Sequence, residues 1–196
     1  MTRFLLTLLA VPLLGLRAQD SLPGSRISNA GVLRAEAATD SVFINRSRLV
    51  DTVDIGDFAS FLLARIGAPP FDDSLAFKVT ADSQRIHISG RLMDFPADSR
   101  AEIGPIFRFL DSTSVWVAQI SMPQAENGII IFRFEGLRVS GLPIPDLLVA
   151  AALDEYRQRY PRMLAANGRE FHVEIPREAR VRLVHNGIVL RMPKQP

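Results

Sequence analysis

The chain predicts an α+β protein, a curved antiparallel β-sheet packed against one long and one or two shorter helices. Three observations carry this. Several segments alternate apolar and polar residues over five to eight positions, the period of a half-buried strand. Two other segments repeat apolar residues at three and four positions, the period of a helix packed on one face. Short loops rich in Asp, Asn, Gly and Pro separate neighbouring strand segments, which favours antiparallel pairing.

Taken in order, residues 19–45 mix small and polar residues without a sustained period and read as a poorly ordered N-terminal arm. Residues 46–193 read as a single α+β domain. The first element is a helix over 55–66. Asp54 stands at its N-cap, Asp57 lies in the first turn where the helix dipole favours a carboxylate, and Ile55, Phe58, Phe61, Leu62 and Ile66 form one stripe. Gly67 and Pro69-Pro70 end it. Strands follow over 75–80 and 85–92, with Ala81-Asp82-Ser83-Gln84 as the hairpin loop and Ile86, Ile88 and Leu92 facing a core. His87 then falls on the wet face. A short helix opens at Pro96 and ends near Asp111, weakened by Gly104-Pro105.

Strands over 114–122 and 128–139 come next. In the second, Phe132 and Phe134 are apolar on one parity, Leu137 and Val139 on the other. That phase change across Glu135-Gly136 predicts a β-bulge. Near-continuous apolarity from Gly128 to Phe132 predicts a strand covered on both faces at that end. Gly141 and Pro143 close the strand, and Pro145 and Asp146 open a helix with a stripe of Val149, Leu153, Tyr156 and Tyr160 that stops before Pro161. Its first half, 147–153, is apolar nearly all round, as for a helix half enclosed by a sheet. Strands over 170–175, 179–184 and 188–192 complete the domain, with Asn186-Gly187 as a type I′ turn.

Residues 1–18 (MTRFLLTLLAVPLLGLRA) read as a secretory signal: Arg3 supplies the charge, an apolar run extends to Leu16, and Ala18 marks the cut before Gln19. The run reaches roughly 20 Å as a helix, against roughly 30 Å for a hydrocarbon core, so it is too short for an anchor. The expectation is an exported protein, periplasmic or extracellular, with no transmembrane segment after cleavage. Losing Arg3 and Arg17 leaves 21 basic against 21 acidic residues, which argues against nucleic acid as a partner. Only Lys78 and Lys194 are lysines, so arginine carries nearly all the positive charge. The chain has no cysteine, so an ordinary core must hold it.

No motif carries chemistry. A nucleophile elbow, a Ser-x-x-Lys pair, a His-Glu-x-x-His zinc motif and a Walker loop are all missing. Three well-separated histidines without cysteine give no metal-ligand spacing, and no catalytic residue, metal or cofactor is assigned. Asp54 and Asp57 read as helix-capping carboxylates, not as an acid–base pair, and Asn45-Arg46-Ser47 as a chance sequon. A hydrolase assembled in space from His87 or His172, a carboxylate and a serine is the enzyme alternative.

The exported N-terminus, Asp54-Ile55-Gly56-Asp57-Phe58-Ala59-Ser60-Phe61-Leu62-Leu63, the paired strands, and Val139-Ser140-Gly141-Leu142-Pro143-Ile144-Pro145-Asp146-Leu147-Leu148 together resemble small exported bacterial proteins related to the tubular lipid-binding (TULIP) superfamily. The shared pattern is a strand ending in a Gly-x-x-x-Pro turn that launches a long helix, and the resemblance spans most of residues 50–193. It implies a highly curved sheet around one or two helices and the binding of phospholipid or another apolar ligand. The expected function is therefore non-catalytic binding of a lipid or other apolar ligand in a helix/sheet groove. Apolar walls leave no motif; those expected here are Phe58, Phe61, Leu62, Leu148, Ala152 and Tyr156. The alternative is a cell-envelope interaction or assembly factor that docks a protein partner through a sheet edge or the N-terminal arm.

Overall fold

A computed structural model describes residues 25–65, 76–94, 111–122, 125–159 and 168–194. The signal segment, the helix expected after Pro96, and the stop signals Gly67, Pro69-Pro70 and Pro161 lie outside the described residues. The architecture is α+β, and among the described residues the strand pairs are antiparallel. Helix α1 (Asn29–Thr39) runs into a π-helical turn (Asp40–Ile44). Strand β1 (Val50–Asp54) leads directly into α2 (Ile55–Arg65). Strands β2 (Lys78–Ala81), β3 (Arg85–Arg91), β4 (Val115–Ser121), β5 (Ala125–Glu126), β6 (Ile129–Val139) and β7 (Leu142–Pro143) follow. Helix α3 (Asp146–Arg159), the longest among the described residues, precedes β8 (Glu170–Glu174), β9 (Arg180–Val184) and β10 (Gly187–Arg191).

The strands fall into two sheets. A three-stranded sheet has the order β1-β10-β9, and a seven-stranded sheet is built around β6. Arg133 pairs with both Ser121 and Glu170, and Val139 with both Trp116 and Leu142, so β4 and β5 line one edge of β6 while β7 and β8 line the other. The expected bulge is present. Gln119 pairs with Gly136 and Ile120 with Phe134, leaving Glu135 as the extra residue. Its effect is to keep Ile130, Phe132 and Phe134 on the same face as Leu137 and Val139. Without it, the period-two alternation would turn one set outward.

That face meets two clusters. The larger gathers Phe58 and Phe61 of α2, Ala35 of α1, Val79, Ile86, Ile130 and Phe132 of the large sheet, and Val53, Leu183, Ile188 and Leu190 of the small one. The smaller gathers Leu92, Trp116, Ala118 and Val139. Phe77 bridges them, its ring edge-on to Trp116 at 5.2 Å. Gly90 makes room for it: a Cβ there would sit 2.6 Å from the Phe77 ring.

Three expectations need correction. Residues 29–44 are helical, not an irregular arm. Ser28 caps α1 by accepting from Gly31 N–H at 3.0 Å, and the positions that α1 buries are Gly31 and Ala35. A helix that packs through such small residues gives almost no hydrophobic period to read. The last hairpin turns one residue early: Gly187 already pairs with Val184, and only Asn186 has positive φ in the two-residue loop His185-Asn186, so the turn is not type I′. Asn186 is fixed from outside the hairpin. It donates N–H to the Ala81 carbonyl at 2.9 Å, accepts from Ala81 N–H through Oδ1 at 3.0 Å, and its carbonyl accepts from Ile55 N–H at 3.1 Å. Finally, α3 is not enclosed over its first half, since Leu147 is 80% exposed. At the other end of β6, Ile130 and Phe132 are buried while Ile129 and Ile131 are half-buried, so that strand is partly covered on its second face.

Candidate functional site

Helix α2 opens as its sequence dictates. Asp54 Oδ1 accepts from Gly56 N–H at 2.8 Å and from Asp57 N–H at 3.3 Å, satisfying two of the orphan donors of the first turn. Ser25 donates its hydroxyl to the same oxygen. Asp57 does more than complement the dipole. It is buried, and Arg34 of α1 donates to it twice, Nε to Oδ2 at 2.7 Å and Nη2 to Oδ1 at 2.6 Å. This bidentate bond raises the Arg34 guanidinium pKa further above its already high value. Ser60, also buried, accepts from Ser28 N–H at 3.0 Å and donates to the Gly56 carbonyl at 2.6 Å. Gly31 permits the approach of the two helices, because a Cβ there would lie 2.8 Å from Asp57 Oδ1. The Arg34–Asp57 pair and the Ser28–Ser60 bond hold α1 on α2, so the joint reads as a structural seal.

Of the residues expected to wall a groove, Phe58, Phe61 and Leu62 share one cluster and Leu148 stands apart from it. Phe58 and Phe61 are 3% and 6% exposed; Phe58 packs against Phe61 and Phe132 with centroid separations of 6.3 Å each. Leu62 is half-buried against the same cluster. These side chains fill the core and present no free wall. Leu148 stands on α3, whose packing partner is β6, and it is 37% exposed. The side chains of Ala152 and Tyr156, on the same helix, lie outside the described residues.

The histidines have ordinary partners. His87 lies 3.6 Å from Asp82, whose carboxylate already accepts from Gln84 and Arg85 N–H groups at 2.7 Å each. Those backbone bonds, with a smaller contribution from His87, hold the Asp82 carboxyl below the usual carboxylate range against its desolvation. His172 lies 3.4 Å from Glu170, which Arg133 also engages through Nε and Nη2. His185 contacts Asn186 at 3.2 Å. Among the described residues neither His87 nor His172 hydrogen-bonds a serine, and no three His, Asp or Glu side chains are grouped to hold a metal.

The feature that sequence reasoning missed is an apolar ledge outside the core. After β6, Ser140 and Gly141 both take positive φ and reverse the chain, so that Leu142 pairs back to Val139. Ile144 N–H bonds the Leu137 carbonyl at 2.9 Å and its side chain tucks against the smaller cluster. The Pro145 carbonyl then accepts from Leu148 and Val149 N–H groups, starting α3, and Val149 is buried. With Ile144 and Val149 inward, Leu142 at 71%, Leu147 at 80% and Leu148 at 37% stand in solvent within seven positions of chain. The excess of leucine here was legible in the sequence, but which side faced the sheet was not. Comparison with known proteins gives this arrangement no relative: no family model, curated protein or solved structure matches the chain.

Proposed function

We propose that the protein acts by binding, not by catalysis, and that it takes a lipid or other apolar ligand at the ledge of Leu142, Leu147 and Leu148. One observation carries the reading: three large aliphatic side chains held in solvent by a hairpin and a helix start whose inward residues are already buried. Each such side chain gains about 2 kcal/mol when covered, so an apolar chain laid along the ledge has a driving force of several kcal/mol before its ordering costs. The ligand class agrees with what the resemblance to TULIP-related proteins implies, and Leu148 is shared with the walls the sequence suggested. Exported status remains the setting in which such a carrier would meet lipid.

The test is binding of a fluorescent fatty acid, with native mass spectrometry of the purified protein as a second readout. Wild-type protein is expected to bind the probe or to carry an apolar ligand, and Leu147→Ser/Leu148→Ser to weaken binding at least tenfold. A wild type that ignores the probe and carries nothing, or a double variant that binds unchanged, overturns the proposal. The alternative of an envelope assembly factor docking through a free N-terminal arm loses part of its basis, because α1 packs on α2 and the π-helical turn on α1 and β10.

A further inference from the structure

The three-stranded sheet has one face on the core and one outward. Residues directly opposite in an antiparallel pair point to the same side. Val53, Ile188 and Leu183 form such a row and are buried. The intervening rows therefore point outward: Val50–Arg191–Arg180, then Thr52–Val189–Arg182. Three exposed guanidiniums thus share one small face, Arg191 directly across from Arg180 and Arg182 two residues further along the strand. Among the described residues none of the three is ion-paired to a carboxylate; Arg180 only reaches the adjacent Ala179 carbonyl at 3.4 Å. The exposed face of the large sheet differs, since its Arg85 and Arg133 are matched by Glu135 and Glu170.

Like charges placed directly opposite on a sheet destabilise it. Protection of an open edge accounts for charges on β9, which is an edge strand. It does not account for Arg191, because β10 is the central strand with both edges paired. Neighbours across and along the strands lie roughly 5 to 7 Å apart. That is inside a Debye length of about 8 Å, so the three charges act on a partner together.

We propose that this face docks on an anionic lipid surface, with Arg180, Arg182 and Arg191 engaging headgroup phosphates. Guanidinium forks match phosphate oxygens bidentately. A sheet face presents the three forks as one layer, suited to a plane of headgroups. Val50, in the same row and 44% exposed, adds apolar contact at the headgroup boundary. The inference stands on this face alone and is independent of the leucine ledge.

The experiment is co-sedimentation of the full chain with vesicles of phosphatidylcholine, with or without phosphatidylglycerol, across a salt series. Binding is expected only with phosphatidylglycerol, falling as salt rises. Each basic residue near an anionic leaflet contributes about fivefold, so Arg180→Gln/Arg182→Gln/Arg191→Gln is expected to lose on the order of a hundredfold. The corresponding Lys triple keeps most of the binding. If the Gln triple does not fold, Arg182→Gln alone is expected to lose about fivefold. Equal binding to both vesicle types, or a folded Gln triple that binds unchanged, overturns the proposal. Competition by inorganic phosphate, or capture of polyglutamate in preference to vesicles, overturns the lipid assignment.

Discussion

Helices α2 and α3 begin alike and end in opposite surroundings. Each follows a strand, carries an Asp in its first turn and continues with a run of large apolar residues. On α2 those residues are sealed under α1 and between both sheets, and Phe58 and Phe61 are core. Among the described residues, the strand that α3 packs on is β6, and the leucines of the first turn stay outside. An apolar helix start says that the side chains need cover; it does not say that the chain itself supplies it. Whether cover exists depends on a second layer, which here is α1 for one helix and nothing comparable among the described residues for the other.

The largest test of this contrast lies at the sealed helix. Phe58→Ala removes a ring from a site enclosed on all sides, and a loss of about 3–5 kcal/mol in unfolding free energy is expected by urea denaturation. A loss below 1 kcal/mol would mean that the α2 face is open after all. Next comes the seal itself. Asp57→Ala deletes both bonds from Arg34 and is expected to cost about 2 kcal/mol, as hydrogen bonds to a charged group typically do. An unchanged midpoint for this variant would show that the small-residue contacts at Gly31 and Ala35 hold α1 unaided. At the open helix the expectation reverses. The Leu147→Ser/Leu148→Ser variant that impairs probe binding is expected to shift stability by under about 0.5 kcal/mol per site, because those side chains lose little cover. A loss of several kcal/mol would place the leucines in a core.

A comparably small effect tests the large sheet, which both helices touch. Asp82 closes the β2–β3 loop with its carboxyl held low by backbone N–H groups. A carboxyl depressed in the folded state adds stability that is present above its unfolded pKa of about 3.9 and disappears as pH falls through the lower folded value. Wild type is therefore expected to exceed Asp82→Ala by about 1 kcal/mol or less near neutrality, with the gap closing below about pH 4. Thermal melts of both proteins between neutral and acid pH decide it. A gap that stays constant into strong acid refutes the carboxylate's role.

Much of the fold was legible because its signals are local. The Asp54 cap, the α2 stripe, the loop after β2 and the phase change at Glu135 each reside in a few consecutive residues. What escaped depends on partners distant in sequence. Helix α1 packs through Gly31 and Ala35, and the small size of Gly31 matters only against Asp57 and Ser60. The last turn was misplaced by a residue because Ala81 and Ile55, not the hairpin, fix Asn186. Of the expected wall residues, Phe58, Phe61 and Leu62 share the core and Leu148 stands outside it, because periodicity reports a face that needs cover and not what covers it. The arginine face escaped for the same reason. Arg180 and Arg182 look like alternating surface residues until register sets Arg191 beside them.

The pairing of β1 with β10 has a consequence in time. Val50 bonds to a strand that ends at Arg191, almost the last residue described, and β10 supplies Ile188 and Leu190 to the cluster over α2. During synthesis the phenylalanines of α2 therefore emerge well before the strand that completes their cover. Contacts between such distant segments also form slowly, because a long loop must close first. The chain passes through a stage in which α2 is made but only partly covered, and loss of the β9–β10 hairpin would leave it there.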